Sequence, residues 1–145
     1  MTEVNLLNKA IDILLHNGIS SIDLNYIRKY KNELLSDDIP EEDRNLFGSI
    51  ETCDEGIKAI LFYSKTNQDY WNIRALWVNP NYRRQNIATA LLSYIRRHSR
   101  NSKGVVIFIP FNETRFALSK TLLRNGYKHR RYIASISATE YNSLW

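Results

Sequence analysis

Residues 76–92 read Leu76-Trp77-Val78-Asn79-Pro80-Asn81-Tyr82-Arg83-Arg84-Gln85-Asn86-Ile87-Ala88-Thr89-Ala90-Leu91-Leu92. The apolar run that ends at Val78 is typical of a strand, and Asn79-Pro80 stops it. The apolar spacing from Ile87 onward predicts an amphipathic helix that continues to about His98. A strand that passes through a short loop into a helix N-terminus turns several backbone N–H groups inward. The stretch therefore predicts a concave site of partial positive charge that suits a pyrophosphate.

The side chains of this loop fit the same interpretation. Ala88 and Thr89 are small, so a phosphate can approach the backbone closely. Arg83 and Arg84 can add charge-assisted hydrogen bonds to phosphate oxygens. The alternative is an ordinary strand, turn and helix whose arginines face solvent, and the spacing and context favour the anion site.

Two helices and three strands are predicted before this loop. Apolar residues at helical spacing indicate a first helix around Leu7–Leu15, which Asn17-Gly18 would end. A second helix, capped from within Ser20–Asp23, carries Ile27, Tyr30, Leu34 and Leu35. Short apolar runs separated by polar turns then predict three consecutive antiparallel strands, at Leu46–Ile50, Ile57–Ser64 and Tyr70–Val78.

The unbroken apolar run Val105–Ile109 follows the loop and its helix, and it predicts a central strand buried on both faces. Asn112 can cap a helix that continues to Asn125 and ends at Gly126. Tyr127–Ser137 reads as one or two final strands. The element order indicates an α/β (α+β) fold, with a mixed sheet and helices on its faces.

The composition bounds the kind of protein. The chain has 145 residues, of which 43% are apolar, so residues 1–145 are expected to form a single domain. One cysteine and no apolar run of about 18 residues favour a soluble cytoplasmic protein, with no membrane partner. The formal charge of +5 favours anionic partners, among them coenzyme A and nucleic acid. The three scattered histidines lack the spacing of metal ligands, so no metal is expected.

The stretch Leu76–Leu92 resembles the acetyl-coenzyme A signature of the Gcn5-related N-acetyltransferase (GNAT) family. In that signature a strand ending in Val-x-Pro leads to Arg or Gln, two free positions, Gly, one free position, and Gly or Ala. Arg83 fills the first of these places and Ala88 the last. The resemblance extends over roughly Phe47–Tyr127 and includes Gly126-Tyr127, which is similar to the family's closing Gly-Phe.

The resemblance implies a GNAT-like fold, with a mostly antiparallel central sheet flanked by helices and splayed at the acyl-CoA site. The pantetheine arm of acetyl-CoA would lie in the gap between the strand ending at Val78 and Val105–Ile109. The cofactor-binding residues it implies are Leu76, Trp77 and Val78 through their backbone, and Arg83, Arg84, Gln85, Asn86, Ile87, Ala88, Thr89 and Asn112.

The chain departs from the family pattern at the loop and at its N-terminus. Asn86 stands where the family usually has its central Gly, and Asn accepts positive φ more readily than other non-Gly residues. The family's usual opening strand is reduced here to at most Thr2–Leu6.

A further departure concerns catalysis, because Leu122 occupies the position where many relatives carry a tyrosine acid. Ser119, one turn earlier, is the predicted replacement, with Tyr127 and Tyr132 as weaker ones. The predicted base that accepts the amine proton is Asp69. The other carboxylates near that strand are Glu51, Asp54 and Glu55.

The leading hypothesis is direct transfer of an acetyl group from acetyl-CoA to an amine acceptor in a ternary complex. The alternative is a catalytically weakened protein of this fold that acts as a basic module and binds nucleic acid or a protein. The clusters Arg83-Arg84, Arg96-Arg97-His98 and Lys128-His129-Arg130-Arg131 motivate it. A homodimer is a further expectation, because dimers are common in the family.

Overall fold

A computed structural model of the chain describes residues 3–16, 21–65, 69–107 and 115–127. These residues contain four α-helices and four β-strands: α1 Glu3–His16, α2 Ser21–Tyr30, β1 Phe47–Cys53, β2 Gly56–Lys65, β3 Tyr70–Val78, α3 Ile87–His98, β4 Gly104–Ile107 and α4 Arg115–Arg124. Short 3-10 helices lie at Lys31–Leu35, Glu41–Asp43 and Pro80–Tyr82.

The described strands form one sheet in the order β1-β2-β3-β4. β1, β2 and β3 pair antiparallel, and β4 pairs parallel with β3 through Tyr70–Ile73. The predicted mixed, mostly antiparallel sheet is therefore confirmed. Within the described residues β4 pairs only with β3. It is therefore an edge strand of the described sheet, although the sequence predicts a central strand. The predicted strands after Tyr127, together with residues 108–114, lie outside the described residues.

Helices cover both faces of this sheet, and each face has its own core. On one face Leu61, Ile73, Leu92 and Ile95 pack with Leu122 of α4. On the other face Leu14 of α1 and Ile27 of α2 pack with Ile60 and Phe62. The sheet is therefore the middle of three layers.

The N-terminal helix begins earlier than predicted. Glu3 lies in the first turn of α1, so residues 3–6 are helical and the family's opening strand is absent from them. The buried stripe of Leu7, Ala10, Ile11 and Leu14 explains the helix, because these residues recur on one face.

The second helix is shorter than predicted. α2 ends at Tyr30, and Lys31–Leu35 continues as a 3-10 helix with no buried residue. Leu34 and Leu35 pack against the core at its margin, so the apolar spacing continues after the α-helix has ended.

β3 contains a β-bulge in its middle. Ile73 pairs with Tyr63 and Ala75 pairs with Phe62, so Arg74 is the extra residue of the bulge and the register of β2 skips it. Ile73 belongs to the core under α3, whereas Ala75 belongs to the core under α1. Arg74 extends toward α2, where its guanidinium carbon lies 4.0 Å from the centroid of the Tyr26 ring.

Glu33 fixes the segment that leads into β1. Its carboxylate accepts hydrogen bonds from Asn45 N at 2.7 Å, Asn45 Nδ2 at 3.0 Å and Leu46 N at 3.2 Å. Arg44 donates to the backbone oxygens of Glu33 and Ser36. Partial burial acts to raise the pKa of Glu33, but the bonds from Asn45 and Leu46 outweigh it and lower that pKa below 4.5.

The change Glu33→Gln is expected to lower the free energy of unfolding at pH 7 by about 1 kcal/mol, because hydrogen bonds to a charged acceptor become neutral ones. A carboxyl with a lowered folded-state pKa stabilises above its unfolded pKa, and the effect disappears as the pH falls through the folded value. The difference between parent and variant should therefore shrink below about pH 4.5. Urea unfolding from pH 3 to 7 measures this difference in unfolding free energy. The control is Glu42→Gln, which changes an exposed residue and should show no such pH dependence.

Candidate functional site

Asn79 organises the loop that follows β3. Its backbone N–H donates to Lys58 O at 2.8 Å and its side chain donates to Ile57 O at 3.1 Å, so both bonds tie the loop to β2. The Asn79 side-chain oxygen also accepts from Asn81 N at 3.0 Å. Pro80 starts a 3-10 turn, as its fixed φ favours. The loop is thus held by β2 on one side.

The end of the loop has a left-handed backbone. Asn86 has φ 61° and ψ 20°, and Arg84 has φ 65°. Asn86 therefore has a left-handed backbone conformation. Among the amino acids glycine adopts this conformation most readily, and Asn tolerates it better than other non-glycine residues. α3 begins at the next residue, Ile87.

The N-terminus of α3 is open. The Asn86 side chain does not cap it, and the first helical backbone bond is Ala90 N to Asn86 O at 3.0 Å. The N–H groups of Ile87, Ala88 and Thr89 have no acceptor among the described residues. Unpaired N–H groups and the helix dipole together favour an anion at this point.

Three polar side chains surround this helix end. Arg83 donates from Nε to Val78 O at 3.0 Å. Arg84 is exposed and its guanidinium has no partner among the described residues, while Gln85 is exposed as well. Residues 83–86 are thus exposed polar or positive residues that lead directly into the start of α3.

The edge of β3 beside the loop is unpaired in the described part of the chain. Asn79 N–H points to β2, so the carbonyl of Val78, in the same peptide group, points to the opposite edge. Leu76 has the same orientation, since a strand backbone alternates with a period of two. The described pairing with β4 ends at Ile73, so among the described residues nothing pairs with this edge at Leu76 and Val78, and an added strand could pair there.

The orientation of β3 corrects one predicted contact. Trp77 lies between Leu76 and Val78 and pairs with Ile60, so its backbone groups face β2. It therefore cannot offer them at the open edge. Its indole packs at the margin of the core under α1, where Nε1 is buried without a hydrogen-bond partner among the described residues.

The β1–β2 hairpin places further residues beside the loop. The hydrogen bond with Cys53 raises the pKa of Tyr82 to about 12, and partial desolvation and the nearby carboxylates Asp54 and Glu55 act in the same direction. Lys58 Nζ lies 5.5 Å from the centroid of the Tyr82 ring. No motif marks Lys58 as a site residue, because only the strand register brings it next to Tyr82 of the loop.

The predicted catalytic residues Asp69 and Ser119 lie on different elements of the described structure. Asp69 is exposed at the start of β3, roughly 30 Å of strand from Val78. Its carbonyl accepts from Lys103 N at 2.8 Å, which fixes the turn into β4. Ser119 lies within α4, and the predicted contact Asn112 lies outside the described residues. Both catalytic roles stay predictions.

Leu122 and Tyr127 are core residues. Leu122 is 1% exposed and Tyr127 is 2% exposed, in the core under α3. The Tyr127 hydroxyl is buried without a hydrogen-bond partner among the described residues, and burial raises the pKa of Tyr127 to about 12. A hydroxyl that is shielded from solvent and has a raised pKa is a poor proton donor to a ligand.

The change Tyr127→Phe is expected to raise the free energy of unfolding by about 1 kcal/mol, because it removes a buried hydroxyl that has no hydrogen-bond partner within the described ranges. Guanidinium unfolding measures this. Tyr26→Phe is the matched control and should destabilise, since the Tyr26 hydroxyl donates to Asn45 O at 2.6 Å. A large loss of turnover in Tyr127→Phe with unchanged stability would instead assign Tyr127 to catalysis.

The backbone at Asn86 gives a second test. Asn86→Val is expected to lower the free energy of unfolding by about 1–2 kcal/mol, because a β-branched residue is strained at positive φ. Asn86→Gly should stay within about 0.5 kcal/mol of the parent. Thermal and urea unfolding measure both, with Gln85→Val as the exposed neighbouring control. Equal stability of the valine and glycine variants would contradict the left-handed assignment.

A separate cleft of about 400 Å³ lies at the other end of β1 and β2. Phe47, Gly48 and Tyr63 form its wall, and Asp37 and Glu41 lie at its rim. Tyr63 pairs with Ile73, five residues before Val78, so the cleft is distinct from the loop. Lys65 forms an ion pair with Glu41 at this end.

No described helix has the length and apolar character needed to cross a bilayer. No group of three or more His, Cys, Asp or Glu side chains in the described ranges could hold a metal ion.

Comparison with protein families identifies one match. Residues 31–118 match the model of the family described as Acetyltransferase (GNAT) family. This range includes β1 to β4, the loop and α3. No curated protein matches the sequence.

Several solved structures share the fold. An acetyltransferase of the GNAT family from Staphylococcus aureus Mu50 has a TM-score of 0.65 at 12% identity, with 99% of this chain and 92% of that chain covered. AAC(6′)-Iy, solved with the bisubstrate analogue CoA-S-monomethyl-acetylneamine, has a TM-score of 0.59 at 15% identity, with coverages of 92% and 91%. The aminoglycoside 6′-N-acetyltransferase AAC(6′)-Ig from Acinetobacter haemolyticus has a TM-score of 0.51 at 14% identity, with 81% of this chain and 93% of that chain covered.

Proposed function

Since the chain belongs to the acetyltransferase (GNAT) family, we propose that it transfers an acetyl group from acetyl-CoA to an amine acceptor in a ternary complex. The observation that carries the proposal is the open N-terminus of α3. Ile87, Ala88 and Thr89 offer three N–H groups that have no acceptor among the described residues, directly after the positive-φ residue Asn86.

The residues at this site fit the phosphates of coenzyme A. The N–H groups of Ile87–Thr89 would bind pyrophosphate oxygens, and the small side chain of Ala88 leaves the backbone accessible. Arg84 would add a charge-assisted contact from its unpartnered guanidinium. Asn86 adopts the positive φ of the turn that directs the N–H groups of Ile87, Ala88 and Thr89 toward one point.

The open edge of β3 would hold the pantetheine arm. Leu76 and Val78 direct N–H and C=O groups to this edge, where an extended amide chain can pair as an added strand. Coenzyme A supplies the thioester that activates the acetyl group. A backbone N–H at this edge would polarise the thioester carbonyl, so that positioning and electrostatic stabilisation supply most of the rate enhancement.

The acid and base remain part of the proposal. Asp69 lies at the far end of β3 from Val78, so it would receive the amine proton only through a chain of water molecules, and Ser119 would protonate the thiolate that leaves. We propose a cytoplasmic location on the composition alone. The acceptor is assigned only as an amine.

A basic binding module is the second candidate, and the net charge of +5 favours it. The open helix N-terminus favours the enzyme, because a solvated basic face needs no unpaired N–H groups converging at one point. A gel shift on short RNA or DNA that persists when Arg83 and Arg84 are changed to Ala would favour the binding module.

Isothermal titration with acetyl-CoA tests the proposal directly. Binding in the micromolar range, followed by acetyl transfer to a panel of amines detected as free thiol, is the expected result. No heat up to millimolar acetyl-CoA, with protein shown to be folded by circular dichroism, would exclude it.

A further inference from the structure

Arg83 makes a hydrogen bond that belongs to no helix or sheet. Its Nε donates to Val78 O at 3.0 Å. This oxygen lies on the open edge of β3, because the N–H of the same peptide group donates to Lys58 O on β2. Arg83 therefore covers one of the backbone acceptors that an added strand would use.

We propose that Arg83 is a specificity-determining residue that makes pantetheine recognition depend on phosphate recognition. Without a phosphate, the guanidinium stays on Val78 O. A pyrophosphate at the start of α3 draws the guanidinium to itself and leaves Val78 O free to accept from the pantetheine amide. The inference rests on the proposed function, since it concerns the same ligand.

The relative strength of the two hydrogen bonds gives the direction of this exchange. Val78 O is a neutral acceptor, whereas phosphate oxygens are charged and can accept two N–H groups of a guanidinium at once, so the phosphate adds ion–ion attraction and a second hydrogen bond. Arg83 is exposed, so its side chain can turn without disturbing the core. It also precedes Asn86 by only three residues, on the loop that leads to the unpaired N–H groups.

The consequence is discrimination between two classes of thioester. Coenzyme A carries the phosphates that release Val78 O. A pantetheine thioester without phosphates must displace Arg83 with no compensating charge. Arg83 would thus disfavour the shorter thioester beyond the simple loss of phosphate contacts.

Arg84 provides a matched control on the same loop. It carries the same charge, it is exposed, and its guanidinium has no partner among the described residues. Its removal should weaken phosphate binding but leave the hydrogen bond from Arg83 to Val78 O in place. Only Arg83 should therefore affect the two ligands in opposite directions.

The experiment measures the affinities of acetyl-CoA and acetyl-pantetheine for the parent, Arg83→Ala and Arg84→Ala by isothermal titration. Both variants should bind acetyl-CoA more weakly. Arg83→Ala should bind acetyl-pantetheine about three- to tenfold more tightly than the parent, the effect of one hydrogen bond no longer displaced. Arg84→Ala should not. Arg83→Met, which keeps an apolar stem, repeats the test if the alanine variant is poorly folded.

A second arm adds inorganic pyrophosphate as a separate ligand. Saturating pyrophosphate should strengthen acetyl-pantetheine binding by the parent and have little effect on Arg83→Ala, because coupling between two ligands requires the residue that joins them.

Three results would overturn the inference while leaving acetyl-CoA binding by the parent intact. They are unchanged or weaker acetyl-pantetheine binding in Arg83→Ala, an equal gain in Arg84→Ala, and acetyl-pantetheine binding too weak to measure in every protein even with pyrophosphate. A folded parent that fails to bind acetyl-CoA rejects the proposed function itself.

Discussion

Changing Arg83 and Arg84 together to glutamine is expected to weaken acetyl-CoA binding by at least about 100-fold. Each arginine–phosphate contact contributes about 1.5–3 kcal/mol when both partners are charged, and two are lost. Isothermal titration at fixed ionic strength measures the change. The affinity of the double variant for acetyl-CoA should also depend less on salt concentration, because fewer positive side chains contact the phosphates.

The matched control removes the same charge elsewhere. Arg97 and Arg100 are exposed at the far end of α3 and just beyond it, so Arg97→Gln with Arg100→Gln lowers the net charge equally. A change below about threefold is expected, since screened charges act weakly beyond a Debye length of about 10 Å. Equal losses in the two double variants would mean that only overall charge attracts the ligand, and the specific site would be rejected.

The change Gly48→Ala is expected to lower the free energy of unfolding by about 3 kcal/mol or more, and the melting temperature by roughly 10 °C. A Cβ at Gly48 would lie 2.2 Å from Leu61 O and 2.5 Å from Phe62 Cδ1. Leu61 O is backbone and Phe62 is fully buried, so neither can move without separating β1 from β2.

Ser49→Ala is the control for this effect, because it changes an exposed neighbour that already has a Cβ. It should stay within about 0.5 kcal/mol of the parent. At a temperature where Gly48→Ala is still folded, its acetyl-CoA affinity should match that of the parent, since Gly48 lies in the cleft at the opposite end from the loop. Parent-like stability of Gly48→Ala would show that β1 does not pair as described.

The elements with the strongest local signals were predicted well. β3 ends at Val78 and α3 begins at Ile87, as predicted, because Pro80 and the amphipathic spacing act locally. β1 was predicted as Leu46–Ile50 but extends to Cys53. Its outer residues are polar and exposed because it is an edge strand, so hydrophobicity gives little signal there.

Features that depend on register could not be predicted. The bulge at Arg74 decides which side chains of β3 share a face, and the strand pairing decides which backbone groups reach the open edge. Trp77 was therefore assigned a backbone contact that its pairing with β2 excludes. The Arg83–Val78 bond has the same origin, since it requires the three-dimensional path of the loop.

The bulge also sets where β3 can change length. Arg74 and Ala75 lie on the same face, so deletion of Arg74 would restore regular alternation and keep Ile73, Leu76 and Val78 under α3. Deletion of Leu76 would instead turn Val78 to the other face. Insertions and deletions among related chains should therefore be tolerated at Arg74 and rejected between Ala75 and Val78.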